Sequence, residues 1–281
     1  MKISIIGLGL IGGSYALALK KRLEGLTICG WDLNKEHVVQ ALEKGIIDEQ
    51  CSTLEEAIDR SDWIFVAIPV DAIEKNIAAM MDRLTDEQLV IDFGSTKSTI
   101  CEVLQGHPKR AQFIAAHPIA GTEYSGPGAA FAELFDDKVM IVCDQEMTEK
   151  RFIERFRKQC KMLGMSTSYM SSSDHDVHLA YVSHLSHVIS FGLSRTVLEK
   201  EESERDILDL AGSGFESTVR LAKSSPEMWT PIFMKNKNAM VEALTSYIEQ
   251  VTTFKELLSV EDEKGIQEFL KKGREIRKIL E

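Results

Sequence analysis

The sequence lacks the features that would set it outside the ordinary globular classes. It has no run of about 18 apolar residues, so no membrane-spanning helix is expected. Its apolar start, MKISIIGLGLIGGS, lacks a charged leader and a small-residue cleavage site, and reads as a strand and glycine turn. Six prolines and 18 glycines in no biased tract argue against disorder or a fibrous repeat. No basic run exceeds a short cluster such as Lys20-Lys21 with Arg22, and the net charge is −11, so no nucleic-acid partner is expected. The five cysteines (29, 51, 101, 143 and 160) are odd in number and contain no C-x-x-C pair. They read as buried reduced thiols of a cytoplasmic protein, with no disulfide and no metal site.

What is present is an ordinary apolar content of 44% over 281 residues, enough for one large domain or two modest ones. Short apolar runs at 2–6, 26–31, 63–68, 88–92, 112–116 and 138–143 alternate with helical patterns at 10–23, 35–44, 71–84 and 97–105. Nearly continuous apolar strands of this kind belong to a sheet covered on both faces. The class is α/β, with a doubly wound, mostly parallel Rossmann-type sheet. After about residue 170 the stretches 174–200, 203–223, 227–259 and 262–280 read as helices. Ser171 and Ser225-Pro226 supply N-cap chemistry for two of them. The expected division is a nucleotide-type domain over 1–170 and an all-helical domain over 171–281.

Gly7-Leu8-Gly9-Leu10-Ile11-Gly12 follows the first strand and opens a helix, and Asp32 ends the second strand 20 residues beyond Gly12. That arrangement suits a dinucleotide. Gly7 permits the turn, Gly9 lets backbone approach a pyrophosphate, and Gly12 lets helix and sheet pack closely. Asp32 would accept hydrogen bonds from a ribose and repel a 2′-phosphate, which favours NAD over NADP, with Lys35 the counterargument. The segment Ser95-Thr96-Lys97 follows a strand end and can form a polar wall beside the nicotinamide, an N-cap for the next helix, or both. His117, in the loop HPIAGTE, is a candidate base, since a free imidazole titrates near pH 6.5. On one continuous helix His175 and His178 would project near roughly 0° and 300°, and His184 and His187 near roughly 180° and 120°. The two pairs then face opposite sides, which excludes a four-histidine metal centre unless the helix breaks. Arg220 lies in an apolar stretch, where a surface ion pair and a carboxylate clamp are both open.

Together GLGLIGGS, Asp32, DFGSTK, HPIAGTE, SHLSH at 183–187 and GSGFESTVRLA with Met228-Trp229 resemble the prephenate dehydrogenases, a family that includes arogenate and cyclohexadienyl dehydrogenases. The resemblance covers nearly the whole chain. It implies NAD-dependent oxidative decarboxylation of prephenate to 4-hydroxyphenylpyruvate in tyrosine biosynthesis, with no metal. His117 and Ser95 would be catalytic. Thr122, Glu123, His184, His187, Arg220 and Trp229 would form the substrate pocket, with Glu123 gating Arg220. Gly7, Gly9, Leu10, Ile11, Gly12, Asp32, Pro69 and Ser95 would hold the cofactor. A homodimer through the helical domain is also implied.

Two residues depart from the family pattern. Ser186 stands where proline is common, which removes a source of helix irregularity. Glu216-Ser217 stand where Arg-Asp is common, which leaves an acidic partner for Arg220 missing or supplied by Glu216. The competing readings are an arogenate dehydrogenase, a β-hydroxyacid dehydrogenase and a non-enzymatic NAD-binding sensor. The charge of −11 requires a local offset for a dianionic substrate, expected from Arg220 and the nearby histidines. With about 170 and about 110 residues assigned, no fused chorismate mutase or regulatory domain is expected within these 281 residues.

Overall fold

The computed structural model describes residues 2–204 and 206–280. It parts into two compact units, Met1–Asn236 and Lys237–Glu281. In the first, the order is β1 (Ile3–Ile6), α1 (Leu10–Arg22), β2 (Ile28–Trp31), α2 (Lys35–Glu43), β3 (Glu49–Gln50), α3 (Leu54–Asp59), β4 (Trp63–Val66), α4 (Val70–Asp82), β5 (Leu89–Asp92), α5 (Ser98–Val103), β6 (Phe113–Pro118), β7 (Val139–Cys143), α6 (Lys150–Met162) and β8 (Ser166–Met170). The eight strands pair as β3-β2-β1-β4-β5-β6-β7-β8. Every pairing is parallel except β6 with β7.

Side-chain alternation builds the two covered faces. Ile3 and Ile5, Trp63 and Phe65, and Leu89 and Ile91 enter one buried cluster with α1 and α6. Ile6, Ile64, Val66 and Val90 enter the other, with α3 and α4. All five cysteines are buried and free. Chain order reverses across β1 and β4, so the carboxyl ends of these strands border the crevice where open α/β sheets take ligands. Gly7, His117 and the segment after Asp92 all lie at or just beyond strand ends. Two strands carry little sequence signal. β3 has two residues, and β8 reads STSYM at the sheet edge, with half-exposed Ser and Thr in place of an apolar run.

The helical part differs from the long helices expected. α7 (Ser172–Leu179) is capped by Ser171, whose side chain accepts from the Asp174 N–H. A π-helical turn, Ala180–His184, separates it from α8 (Leu185–Ser203). The irregularity therefore exists with Ser186 in place, one turn before it. Beyond α8, the described residues of 203–223 hold α9 (Ser213–Val219) and short 3₁₀ turns, with Gly212 at the N-cap of α9. The stretch 227–259 is two helices, because α10 (Pro226–Lys235) stops at Asn236 before α11 (Lys237–Ser259). Ser225 caps α10 by accepting from Met228 N–H, and Pro226 occupies the first turn.

In the second unit α11 is followed by α12 (Glu263–Gly273) and α13 (Arg277–Leu280). Asp262 caps α12 through the Gly265 N–H, and Phe254 packs on Phe269 at 5.3 Å between ring centroids. Among the described residues no helix is long and apolar enough to cross a membrane.

Candidate active site

The glycine turn has the shape a dinucleotide needs. Gly7 has φ +93°, and a Cβ there would lie 2.4 Å from the Ala67 carbonyl oxygen. A Cβ on Gly12 would lie 2.0 Å from the Gly7 carbonyl. Both glycines are thus demanded by close backbone approach. A Cβ on Gly9 would meet nothing within 4 Å, so the space above it is an open cradle at the N-terminus of α1. Leu10 and Ile11, half-buried, form the first turn of that helix, and no side chain caps it. Its N–H groups and partial positive charge are available to an anion. Asp32 accepts hydrogen bonds from Leu8 N–H and Asn34 N–H, each at 2.8 Å. These bonds fix the carboxylate at the β2 end. The residues present therefore fit NAD. His37, not anticipated from sequence, lies with Nδ1 3.4 Å from the Asp32 carboxylate. Pro69 is exposed at the start of α4 and lines a cavity of about 660 Å³ with Pro226 and Thr230 of α10.

The segment after β5 sorts the Ser-Thr-Lys cluster. Lys97 is fully buried and pairs with Asp92, while its Nζ also donates to the Ala116 carbonyl at 3.0 Å. Burial pushes the Asp92 carboxyl up against the opposing pull of Lys97. Lys97 is therefore internal, and only half-buried Ser95 remains on the sheet edge. The N-cap reading fails for this cluster. Asp176 caps α5 from outside, its carboxylate accepting from Lys97 N–H and Ser98 N–H at 2.8 Å each.

That same carboxylate anchors the histidines. Asp176 Oδ1 accepts from His175 Nδ1 at 2.8 Å, and His175 Nε2 meets His117 Nδ1 at 2.8 Å. Asn236 donates from Nδ2 to the Asp176 carbonyl at 2.7 Å and contacts His184 Nδ1 at 3.1 Å. His187 donates from Nδ1 to the Ser183 carbonyl at 3.0 Å and stacks on Trp229 at 3.6 Å. The opposite-face expectation thus fails. It assumed uniform α-helical winding, whereas the π turn's i→i+5 bonds turn His184 toward the His175 side. Among the described residues no group of three or more His, Cys, Asp or Glu is placed to hold a metal ion.

Burial is the first cause holding these rings neutral. It pushes His117 well below the usual imidazole range, helped by the neighbouring His175, Lys97 and His184. His184 is pushed down to about 4, and His175 and His187 are lowered. The Asp176 carboxyl sits below its ordinary value because the His175 hydrogen bond and two backbone N–H groups outweigh its burial. Neutral imidazoles offer little positive charge. Of the residues expected to offset a dianion, that leaves Arg220 as the one that carries charge without taking up a proton. Arg220 is about half exposed, with Nη1 3.6 Å from Glu123 Oε2. Glu123, not Glu216, supplies its acidic partner. Thr122 and Glu123 line a cavity of about 810 Å³ with Tyr124 and Phe131. That loop is pinned to α1 by Phe131 N–H donating to Ser14 Oγ at 3.0 Å.

Contacts run continuously from His187 through Trp229, His184, Asn236, Asp176 and His175 to His117, and the charge of Arg220, itself beside Glu123, acts on His187. His175, Asp176 and Asn236 were not selected from sequence. A histidine and an aspartate adjacent in the first turns of a helix were the available signal.

A dinucleotide-type sheet, an acid at the β2 end and a histidine at the β6 end define an NAD-dependent oxidoreductase. The family "prephenate dehydrogenase, nucleotide-binding domain" matches residues 15–167, and "prephenate dehydrogenase, dimerization domain" matches 171–272. The prephenate dehydrogenase of Bacillus subtilis is 30% identical, over 98% of this chain and 75% of that protein. The cyclohexadienyl dehydrogenase of Zymomonas mobilis is 30% identical, over 99% and 95%. The solved prephenate dehydrogenase of A. aeolicus, in complex with hydroxyphenyl propionate and NAD+, superposes with TM-score 0.92 at 30% identity over 100% and 98%. Synechocystis arogenate dehydrogenase gives 0.78 at 27% identity over 99% of each chain. The chain belongs to the prephenate dehydrogenase family of NAD-dependent oxidoreductases.

Proposed function

We propose that the chain oxidises prephenate with NAD+, releasing CO2 and 4-hydroxyphenylpyruvate, with His117 as the base. The carrying observation is that His117 Nδ1 is occupied by His175, which leaves its other ring nitrogen for a substrate hydroxyl at the open end of the sheet. NAD+, when bound, accepts the hydride leaving C4 of the ring. As that hydride departs, the C4 hydroxyl becomes acidic. A neutral His117 beside it takes the proton, the ring carboxylate leaves as CO2 while its bonding electrons complete the aromatic ring, and His117 returns the proton to the phenolate oxygen so formed. A base at this oxygen acts where charge changes in the transition state. Ser95 orients the same hydroxyl. Arg220 holds a carboxylate of the dianion, with Thr122, His184, His187 and Trp229 closing the pocket. Gly7, Gly9, Leu10, Ile11, Gly12, Asp32, Pro69 and Ser95 line the cofactor.

Arogenate differs by an amine in place of the side-chain ketone, and the similarity to a solved arogenate dehydrogenase keeps that second substrate in view. Prephenate and arogenate, each with NAD+ and NADP+, decide both preferences by NADH or NADPH formation. His117→Asn is expected to lower kcat by about 10²–10⁴-fold while substrate affinity stays within a few-fold. Near-normal turnover would remove His117 from the mechanism.

We also read the protein as a cytoplasmic homodimer. The buried free thiols, the "dimerization domain" match and exposed Val241, Ile248 and Val251 on α11 support that reading. Light scattering at micromolar concentration should give the dimer mass, and a monomer would count against it.

A further inference from the structure

The Asp176–His175–His117 line does more than hold three side chains together, because each hydrogen bond dictates the next one's polarity. The Asp176 carboxylate already accepts two backbone N–H groups and is held ionised, so it can only accept from His175. His175 must then carry its proton on Nδ1 and, being neutral, present a bare Nε2. That bare nitrogen lies 2.8 Å from His117 Nδ1, which must carry the proton between them. Neutral His117 is left with an unprotonated Nε2. Neither His175 nor Asp176 belongs to the pocket proposed above.

We propose that His175 and Asp176 are positioning residues that lock His117 in its Nδ1–H tautomer, so that Nε2 is the only atom able to take the substrate's proton. The proposal rests on the reading of His117 as the base. When the substrate O–H bond breaks, its proton goes to His117 Nε2 and the electron pair stays on oxygen. The His117 Nδ1–H bond and the His175 Nδ1–H bond persist, and the new positive charge lies two hydrogen bonds from the Asp176 carboxylate. No further proton moves in that step. The same residue fixes the opposite polarity next door. Asn236 spends one Nδ2 hydrogen on the Asp176 carbonyl and aims the other at His184 Nδ1, which leaves His184 with its proton on Nε2. The groups that act on His117 are His175, Lys97 and His184. Those that act on His175 are Asp176, Lys97 and Asp92.

The test is the histidine ¹⁵N spectrum of the intact protein at pH 7.5, assigned by single replacements. The expected pattern is Nδ1–H for His117 and His175 and Nε2–H for His184. A His117 in the Nε2–H form overturns the proposal whatever the activity. If the tautomers are as expected but prephenate yields no NADH, the relay stands and the substrate reading falls. Kinetics supply the second arm. His175→Met should lower kcat about 100-fold with prephenate KM and NAD+ affinity within three-fold, and should shift the acid limb of the kcat profile. His175→Gln, which can accept from His117 and donate to Asp176, should recover at least ten-fold of that loss. Equal defects in the two variants, with an unmoved pH profile, would reduce His175 to packing. Asp176→Asn also weakens the α5 cap, so it is read only through the spectrum, where mixed His117 tautomers are expected and an unchanged tautomer counts against the relay.

Discussion

The two ends of the proposed site are built on opposite principles. The glycine turn at Gly7–Gly12 is made by removing side chains, so that backbone meets backbone and an anion can approach a helix end. The histidine cluster is made by adding polar side chains to the interior and satisfying each one through another. In the turn, geometry is set by residues within one βαβ unit. In the cluster, Asp176 joins α5, α7, His117 on β6 and, through Asn236, His184. Local geometry can be read from spacing, whereas a network spanning more than 100 residues cannot.

The largest effects should come from the turn, where they separate folding from binding. Gly12→Ala places a Cβ 2.0 Å from the Gly7 carbonyl, which only backbone movement can relieve. The expected cost is about 3 kcal/mol or more, seen as a lower urea midpoint. Gly9→Ala enters open space and should leave stability within about 0.5 kcal/mol while NAD+ affinity falls at least ten-fold. Equal stability losses in the two variants would mean that the turn is not divided in this way.

In the cluster, acid is the matching perturbation. An unfolded imidazole titrates near 6.5, while folded His184 is pushed down to about 4. Between those values the unfolded chain binds more protons, so stability falls as pH falls. The His184 contribution is fully present above about pH 6.5 and is lost as pH drops through about 4, amounting to about 3 kcal/mol. His117, His175 and His187, shifted in the same direction, steepen the decline. Urea midpoints from pH 7.5 to 4.5 should show this slope, and His184→Asn should flatten it. A stability that does not change over that range would remove the neutral-histidine account.

What was legible follows the same division. The sheet, the glycine turn and Asp32 were readable because strand alternation and the spacing from Gly12 to Asp32 are short-range rules. The Ser171 and Ser225 caps were readable for the same reason. β8 escaped because an edge strand of Ser, Thr and Tyr lacks the apolar run that marks its neighbours. Uniform winding placed His175 and His184 on opposite faces, and no local residue type announces a π turn. Ser95-Thr96-Lys97 looked like a self-sufficient cap or wall because nothing nearby shows that Asp176 caps α5 from 78 and 79 residues away.

Removing one residue from the π turn tests that physical reason. Val182 is 75% exposed, so its deletion sacrifices little packing while restoring α-helical register. His184 should then leave Asn236. kcat/KM for prephenate should drop about ten-fold, by loss of one buried polar contact, with NAD+ affinity unchanged. An unaffected kcat/KM would mean that the bulge is incidental to the pocket.

The smallest effect belongs to the exposed end of the cluster, at Glu123 and Arg220. Their 3.6 Å separation exceeds a direct hydrogen bond, and Arg220 is about half exposed, so water screens the pair. Glu123→Gln should therefore change stability by less than about 0.5 kcal/mol. On the proposed role of Arg220 its effect should appear in binding, because Glu123 would partly cancel the charge offered to a dianion. Removing the carboxylate should lower prephenate KM by about two- to three-fold at low salt, leave kcat unchanged and weaken the salt dependence of KM. A raised KM would mean that Glu123 holds Arg220 in its binding posture rather than competing for its charge.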